Sequence, residues 1–195
     1  MEYKCGSGRV VRQNQGNDVM SEPLSAKTNR KKIKYVVNAG VIAALYVVLT
    51  LPFAQFAYGP VQFRLAELLT VLPTFSPAAI PGVAIGCFLA NLFNPSSLGP
   101  VDVIFGTLAT VLAAFVSRLL GRKSEFLGLI PPIVFNGLIV GGYLPFLLAD
   151  SASSVTVAVV LISMGEVAAS EAVLLGVLGI PMVLLIKKTR IKEYL

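Results

Sequence analysis

The sequence predicts an all-α fold, a polytopic membrane protein of six transmembrane helices with its N- and C-termini in the cytoplasm. Three observations carry this expectation. The chain has 195 residues, 55% hydrophobic and 13% charged, with a mean hydropathy of +0.79; that is too apolar for a water-soluble domain and enough for about five to seven spans of roughly 20 residues. Eight of the sixteen basic residues precede Tyr35 and four follow Ile186, which suits cytoplasmic membrane flanks and not a nucleic-acid-binding face. The stretch from Pro52 to Phe93 is largely apolar, broken by prolines and carrying Arg64, Glu67 and Asn91. Polar groups at membrane depth are costly unless paired or used, so this stretch belongs to a site and not to a plain anchor.

Residues 1–32 are polar, mixed in charge and without apolar periodicity, and read as a disordered cytoplasmic tail. Met20 offers a second reasonable start, so residues 1–19 read as a start-site extension. A six-helix membrane domain follows over 33–187, and 188–195 form a short basic cytoplasmic tail. The first span runs from Ile33 to Leu51, its start held inside by Arg30, Lys31 and Lys32. Ala39 and Ala43, with Gly40 and Ala44 beside them, make a small-residue stripe suited to close helix approach. That stripe either packs within the chain or docks a partner subunit.

The loop 52–63 carries Tyr58, Phe63 and two further phenylalanines. Such rings sit in the interfacial belt or stack on a planar ligand. Arg64 and Glu67 open a short second span, three residues apart, where a structural ion pair is the plain alternative to a ligand contact. A third span, Pro77 to Phe93, carries Gly82, Gly86 and Ala90 at four-residue steps, with Asn91 near its end. The fourth runs from Val101 to Leu120 with Asp102 at its start, and the fifth, Phe126 to Ala149, bends at Pro131-Pro132 and holds Asn136. The sixth apolar run, Val155 to Ile186, ends at Lys187 and Lys188. An even number of spans puts both basic ends and the Arg118 to Lys123 loop inside.

Measured back from Lys187, Glu171 lies about 24 Å and Glu166 about 31 Å along the helix. Glu67, Asn91 and Asp102 fall near the outer ends of their spans, so polar groups from four helices gather at one level, with Asn136 deeper. Glu166 and Glu171 lie about 140° apart around a straight helix, so only one of them faces such a pocket. The absence of histidine removes imidazole catalysis, histidine metal sites and imidazole proton relays. Cys5 and Cys87 do not make a disulfide framework. Nothing assembles a nucleophile with a base, and no cofactor is expected.

The runs YGPVQFRLAELLTVLP (58–73), AAIPGVAIGCFLANLF (78–93), LGPVDVIFGTLAT (98–110), VFNGLIVGG (134–142) and SEAVLLGVLGIP (170–181), with AALYVVLT (43–50), resemble the QueT family of queuosine-precursor transporters. That family belongs to the substrate-binding S components of energy-coupling factor transporters. Where a Gly-Glu pair is expected before the last V-L-G-x-P, this chain has Ser170-Glu171, with Gly165-Glu166 upstream. The resemblance implies a multi-pass protein of the cell membrane, set in lipid, that binds a 7-deazaguanine solute from outside. It also implies an energy-coupling module as partner, made of a transmembrane coupling subunit and two ATPase subunits, and it favours the Ala39/Ala43 stripe as the docking face. In that setting Glu67, Glu171, Asn91, Asp102, Asn136, Tyr58, Phe63, Arg64 and Glu166 are the substrate-binding candidates. A carboxylate accepts the two adjacent N–H groups of a guanine-like edge and an asparagine amide donates to its carbonyl. The alternative from a different class is a self-sufficient, ion-coupled secondary transporter working through Glu67 and Glu171, for which an inverted repeat with broken helices is the expected mark.

Overall fold

A computed structural model describes residues 24–53, 64–93, 99–149 and 155–189, with side chains from Thr28 onward. Six helices follow one another in these segments: α1 (Leu24–Thr50), α2 (Leu65–Thr74), α3 (Ala79–Leu92), α4 (Gly99–Gly121), α5 (Glu125–Leu148) and α6 (Val157–Lys188). Each long helix is apolar around most of its circumference, so large side chains such as Val36, Val41, Ile104, Phe115 and Leu161 remain on the outside. That is the pattern of helices solvated by lipid, which offers no hydrophobic drive to hide them.

The expectation of six transmembrane helices is corrected here. Among the described residues, four helices are long and apolar enough to cross a membrane: Thr28–Phe53, Gly99–Gly121, Glu125–Leu148 and Val157–Lys188. The other two apolar helices, Leu65–Thr74 and Ala79–Leu92, are shorter. The reason is length. Helix α2 has ten residues wound as a 3-10 helix, about 20 Å at that rise; α3 has fourteen, about 21 Å. Both fall short of the roughly 30 Å hydrocarbon core. They meet at a corner, Phe75–Ala78, where Phe75 and Ser76 donate their backbone N–H groups to the Leu72 carbonyl at 2.9 Å each. Pro73 and Pro77 deny the backbone donors that would carry one helix through. The topology argument built on six crossings, with both termini placed by it, goes with that count.

Helix α1 begins at Leu24, upstream of the start expected at Ile33 and inside the stretch read as tail. Lysine and arginine are good helix formers, and Lys31, Lys32 and Lys34 are exposed there. The expectations for 1–23, for 54–63 and for 190–195 fall outside the described residues.

Helices α1 and α3 pack most closely. A Cβ on Gly86 would stand 2.5 Å from the Tyr46 Cβ, so only glycine allows this approach. The resulting core joins Ile42, Tyr46, Ala66, Leu69, Val83, Cys87 and Ala90. On the other side α5 meets α6 at Gly141, where a Cβ would come within 2.5 Å of the Met164 Cα. Two polar ties fix the ends. Arg118 donates to the Pro73 and Thr74 carbonyls at 3.2 Å each, satisfying acceptors that a helix end leaves open. Lys187 pairs with Glu125 at 3.3 Å and lies 5.8 Å over the Phe126 ring.

Three of the long stretches carry one π-helical turn: Asp102–Gly106 in α4, Asn136–Val140 in α5 and Leu175–Gly179 in α6. A π turn inserts a residue and re-aims the side chains on either side of it, and such turns gather at functional sites. Asp102 and Asn136 are the first residues of theirs, and Glu171 lies one helical turn before the third.

Candidate substrate-binding site

Arg64 precedes α2 in extended conformation, with φ −96° and ψ 100°. Its guanidinium reaches across to α4 and donates through Nη2 to both oxygens of Asp102, at 3.1 and 3.2 Å. Both residues are buried, at 4% and 2% exposure. Asp102 is held further by the Tyr143 hydroxyl, which donates to Oδ1, and Asn91 Nδ2 donates to the Asp102 backbone carbonyl at 3.1 Å. One ion pair thus ties α2, α3, α4 and α5 together.

Glu67 takes no part in that pair. One of its oxygens, Oε1, accepts from the Tyr46 hydroxyl at 2.6 Å and from Thr110 Oγ1 at 3.4 Å. Its second oxygen, Oε2, is buried without a hydrogen-bond partner, and so is Oε1 of Glu171. The two carboxylates are 1% and 3% exposed. The Asn136 amide lies within side-chain reach of both. Arg64, Glu67, Asn136, Val140, Val167 and Glu171 line one cavity of about 10 Å³, the least that admits a single water.

A buried carboxylate oxygen without a donor forfeits hydration and gains nothing for it. Two such oxygens on one cavity, beside an amide that can donate or accept, form an acceptor pair prepared for N–H groups. Among the described residues no group of three or more His, Cys, Asp or Glu is placed to hold a metal ion.

The residues singled out in the sequence separate into groups. Arg64, Glu67, Asn136 and Glu171 line the cavity. Asp102 and Asn91 stand behind it, Asp102 engaged by Arg64, and Asn91 bridging α3 to α4. In place of the Arg64–Glu67 ion pair that was the plain alternative to a ligand contact, Arg64 pairs with Asp102, reaching α4 from an extended backbone. Asn136, placed deeper by the span count, lines the same cavity as the two glutamates and is the first residue of the π turn in α5. Glu166 is exposed and lines a separate apolar groove of about 330 Å³ with Leu144, Leu148, Val159, Ile162 and Ser163. Tyr58 and Phe63 lie outside the described residues.

Ala39 and Ala43 are each 8% exposed, covered within the chain by α3 at Gly82 and Gly86. Beside them Gly40 and Ala44 remain on the surface of α1. Sequence reasoning missed Tyr46, Thr110 and Tyr143. Their signal was present, since a hydroxyl inside an apolar span needs a partner.

The sequence model of the QueT transporter family matches residues 36–188. The queuosine precursor transporter QueT of Lactococcus lactis subsp. cremoris (strain MG1363) is 38% identical over 85 residues, which is 43% of this chain and 48% of that protein. The aligned part therefore spans about half the length of that relative. No solved structure matches the chain.

Proposed function

The chain belongs to the QueT transporter family, and from that premise we propose that it is the substrate-binding membrane subunit of an energy-coupling factor transporter, capturing a queuosine precursor of the 7-deazaguanine class. As a multi-pass membrane protein of that family it is a transporter and not an enzyme. The observation that carries the finer reading is the pair of unpartnered carboxylate oxygens, Glu67 Oε2 and Glu171 Oε1, on one buried cavity beside Asn136. A guanine-like edge presents adjacent N–H donors to one carboxylate, and its carbonyl takes a donor from the asparagine amide. A site of this kind rejects solutes that leave its polar groups unpaired.

Capture and energy supply are separate tasks in this account. The cavity binds, and partner ATPases acting through a membrane coupling subunit drive the opening that moves the solute inward. A partner helix approaches α1 on its exposed Gly40/Ala44 side, since Ala39 and Ala43 are covered by α3. The test is uptake into proteoliposomes. Solute accumulation only with the coupling module and ATP supports the reading. Accumulation by the chain alone under an ion gradient overturns it in favour of an ion-coupled secondary transporter.

A further inference from the structure

Charge is divided unevenly along the bundle. Arg118 is tied to the Pro73 and Thr74 carbonyls and Lys187 to Glu125, so the last turns of α4 and α6, the first of α5 and the Phe75–Ala78 corner share one end. Lys31 and Lys34 stand beside the same corner. The basic residues of 30–34 and 118–123 and the pair Lys187-Lys188 gather there, against one carboxylate among the described residues, Glu125. At this end a groove of about 170 Å³ opens between α1 and the corner, lined by Lys31, Lys34, Tyr35 and Asn38 on one side and by 76–78 on the other. The four α1 residues fall at i, i+3, i+4 and i+7, one face of the helix. Lys31, Lys34 and Tyr35 are exposed.

The groove does not end in polar residues. From Lys34 and Asn38 the same strip of α1 continues through Val41, Leu45 and Val48 at steps of three or four residues, and these three are exposed. Lys34 to Val48 spans about 21 Å, more than half of the roughly 30 Å hydrocarbon core. We propose that this groove holds the headgroup of an anionic phospholipid, its phosphate between Lys31 and Lys34 and an acyl chain along Val41, Leu45 and Val48. Ammonium groups donate charge-assisted hydrogen bonds to phosphate oxygens, and basic pockets between membrane helices are suited to anionic headgroups. A free phosphate uses the lysines and leaves the apolar strip idle; an amphipathic ligand uses both. The bound lipid bridges α1 to the corner between α2 and α3. Leu45 lies about 100° around the helix from Ala44, so the lipid leaves the Gly40/Ala44 side open.

Native mass spectrometry tests this on the delipidated full chain in neutral detergent, offered equal amounts of phosphatidylglycerol and phosphatidylcholine with the same acyl chains. The anionic lipid should be retained with about ten-fold or higher affinity, as two lysines near a headgroup supply. In Lys31→Gln/Lys34→Gln that preference should fall by about five-fold or more. Arg122→Gln/Lys123→Gln removes the same charge at the same end but outside the groove, and should keep the preference within about two-fold. No preference for the anionic lipid, or an intact preference in Lys31→Gln/Lys34→Gln, overturns the proposal. Equal loss in both double variants leaves only a diffuse attraction to the basic end and overturns the groove. Displacement of the lipid by equimolar glycerol 3-phosphate makes the ligand a free phosphate ester and overturns the lipid. If Lys31→Gln/Lys34→Gln is not monodisperse, Lys31→Gln decides by the same comparison with Lys123→Gln. None of these outcomes bears on solute capture at Glu67 and Glu171.

Discussion

Arg64 pairs with Asp102, thirty-eight residues away, and not with Glu67 three residues on. The bond leaves Glu67 facing the cavity and assigns Asp102 to holding helices together. Removing one partner of a buried ion pair strands the other charge, at about 3–5 kcal/mol, whereas replacing both with apolar groups of similar volume is often tolerated. Asp102→Asn should therefore yield little folded protein, and Arg64→Met/Asp102→Leu should recover much of it. Thermal unfolding in detergent reads both. A fully stable Asp102→Asn would show that the pair is not what joins α2 to α4.

Ala39→Leu and Ala43→Leu force a bulky side chain into the contact with Gly82 and Gly86, and overpacking of this kind costs about 1–3 kcal/mol or more. Both variants should lower thermal stability and solute binding together. Gly40→Leu and Ala44→Leu lie on the exposed side, so binding by the isolated chain should survive while module-driven uptake fails. The opposite pattern, with stability lost only in the second pair, contradicts the packing described.

Much of the site was legible in the sequence because charged and amide groups in apolar spans are rare and have few uses. Arg64, Glu67, Asn136 and Glu171 stood out on that ground, and all four line the cavity. Two features were hidden. The second span was short in the sequence as well, and it counted as a crossing because an even number holds the basic segments inside; Pro73 and the Phe75–Ala78 corner instead divide 65–92 into two short helices. Three π turns change which face a side chain points from, and a count at 100° per residue does not register them. Tyr46 was passed over because an aromatic within an apolar span resembles packing until its hydroxyl partner is known.

Tyr46→Phe removes the stronger of the two donors to Glu67 Oε1. With the partner oxygen left buried and short of a donor, the loss is about 1–3 kcal/mol. A drop in melting temperature is expected together with weaker solute binding, since the carboxylate is no longer held in its orientation. Unchanged binding in a destabilised protein would make Tyr46 a purely structural residue.

Arg118→Ala withdraws the donors from the Pro73 and Thr74 carbonyls. The end of α2 frays, and stability should fall by about 1–3 kcal/mol. The cavity lies toward the other end of α2, so affinity in the folded fraction should change less than two-fold, on the order of 0.4 kcal/mol. A large affinity loss would mean that the Phe75–Ala78 corner moves with the site.

The central claim, that the open oxygens of Glu67 and Glu171 take the solute, is tested most directly by calorimetric titration of a 7-deazaguanine into monodisperse Glu67→Gln, Glu171→Gln and Glu166→Gln. An amide keeps the size of the carboxylate but replaces an acceptor with a donor. Each of the first two variants should bind more than ten-fold more weakly, a loss of about 1.4 kcal/mol or more, while Glu166→Gln, exposed on the separate groove, should bind as the unsubstituted chain does. Undiminished affinity in both Glu67→Gln and Glu171→Gln would contradict the site.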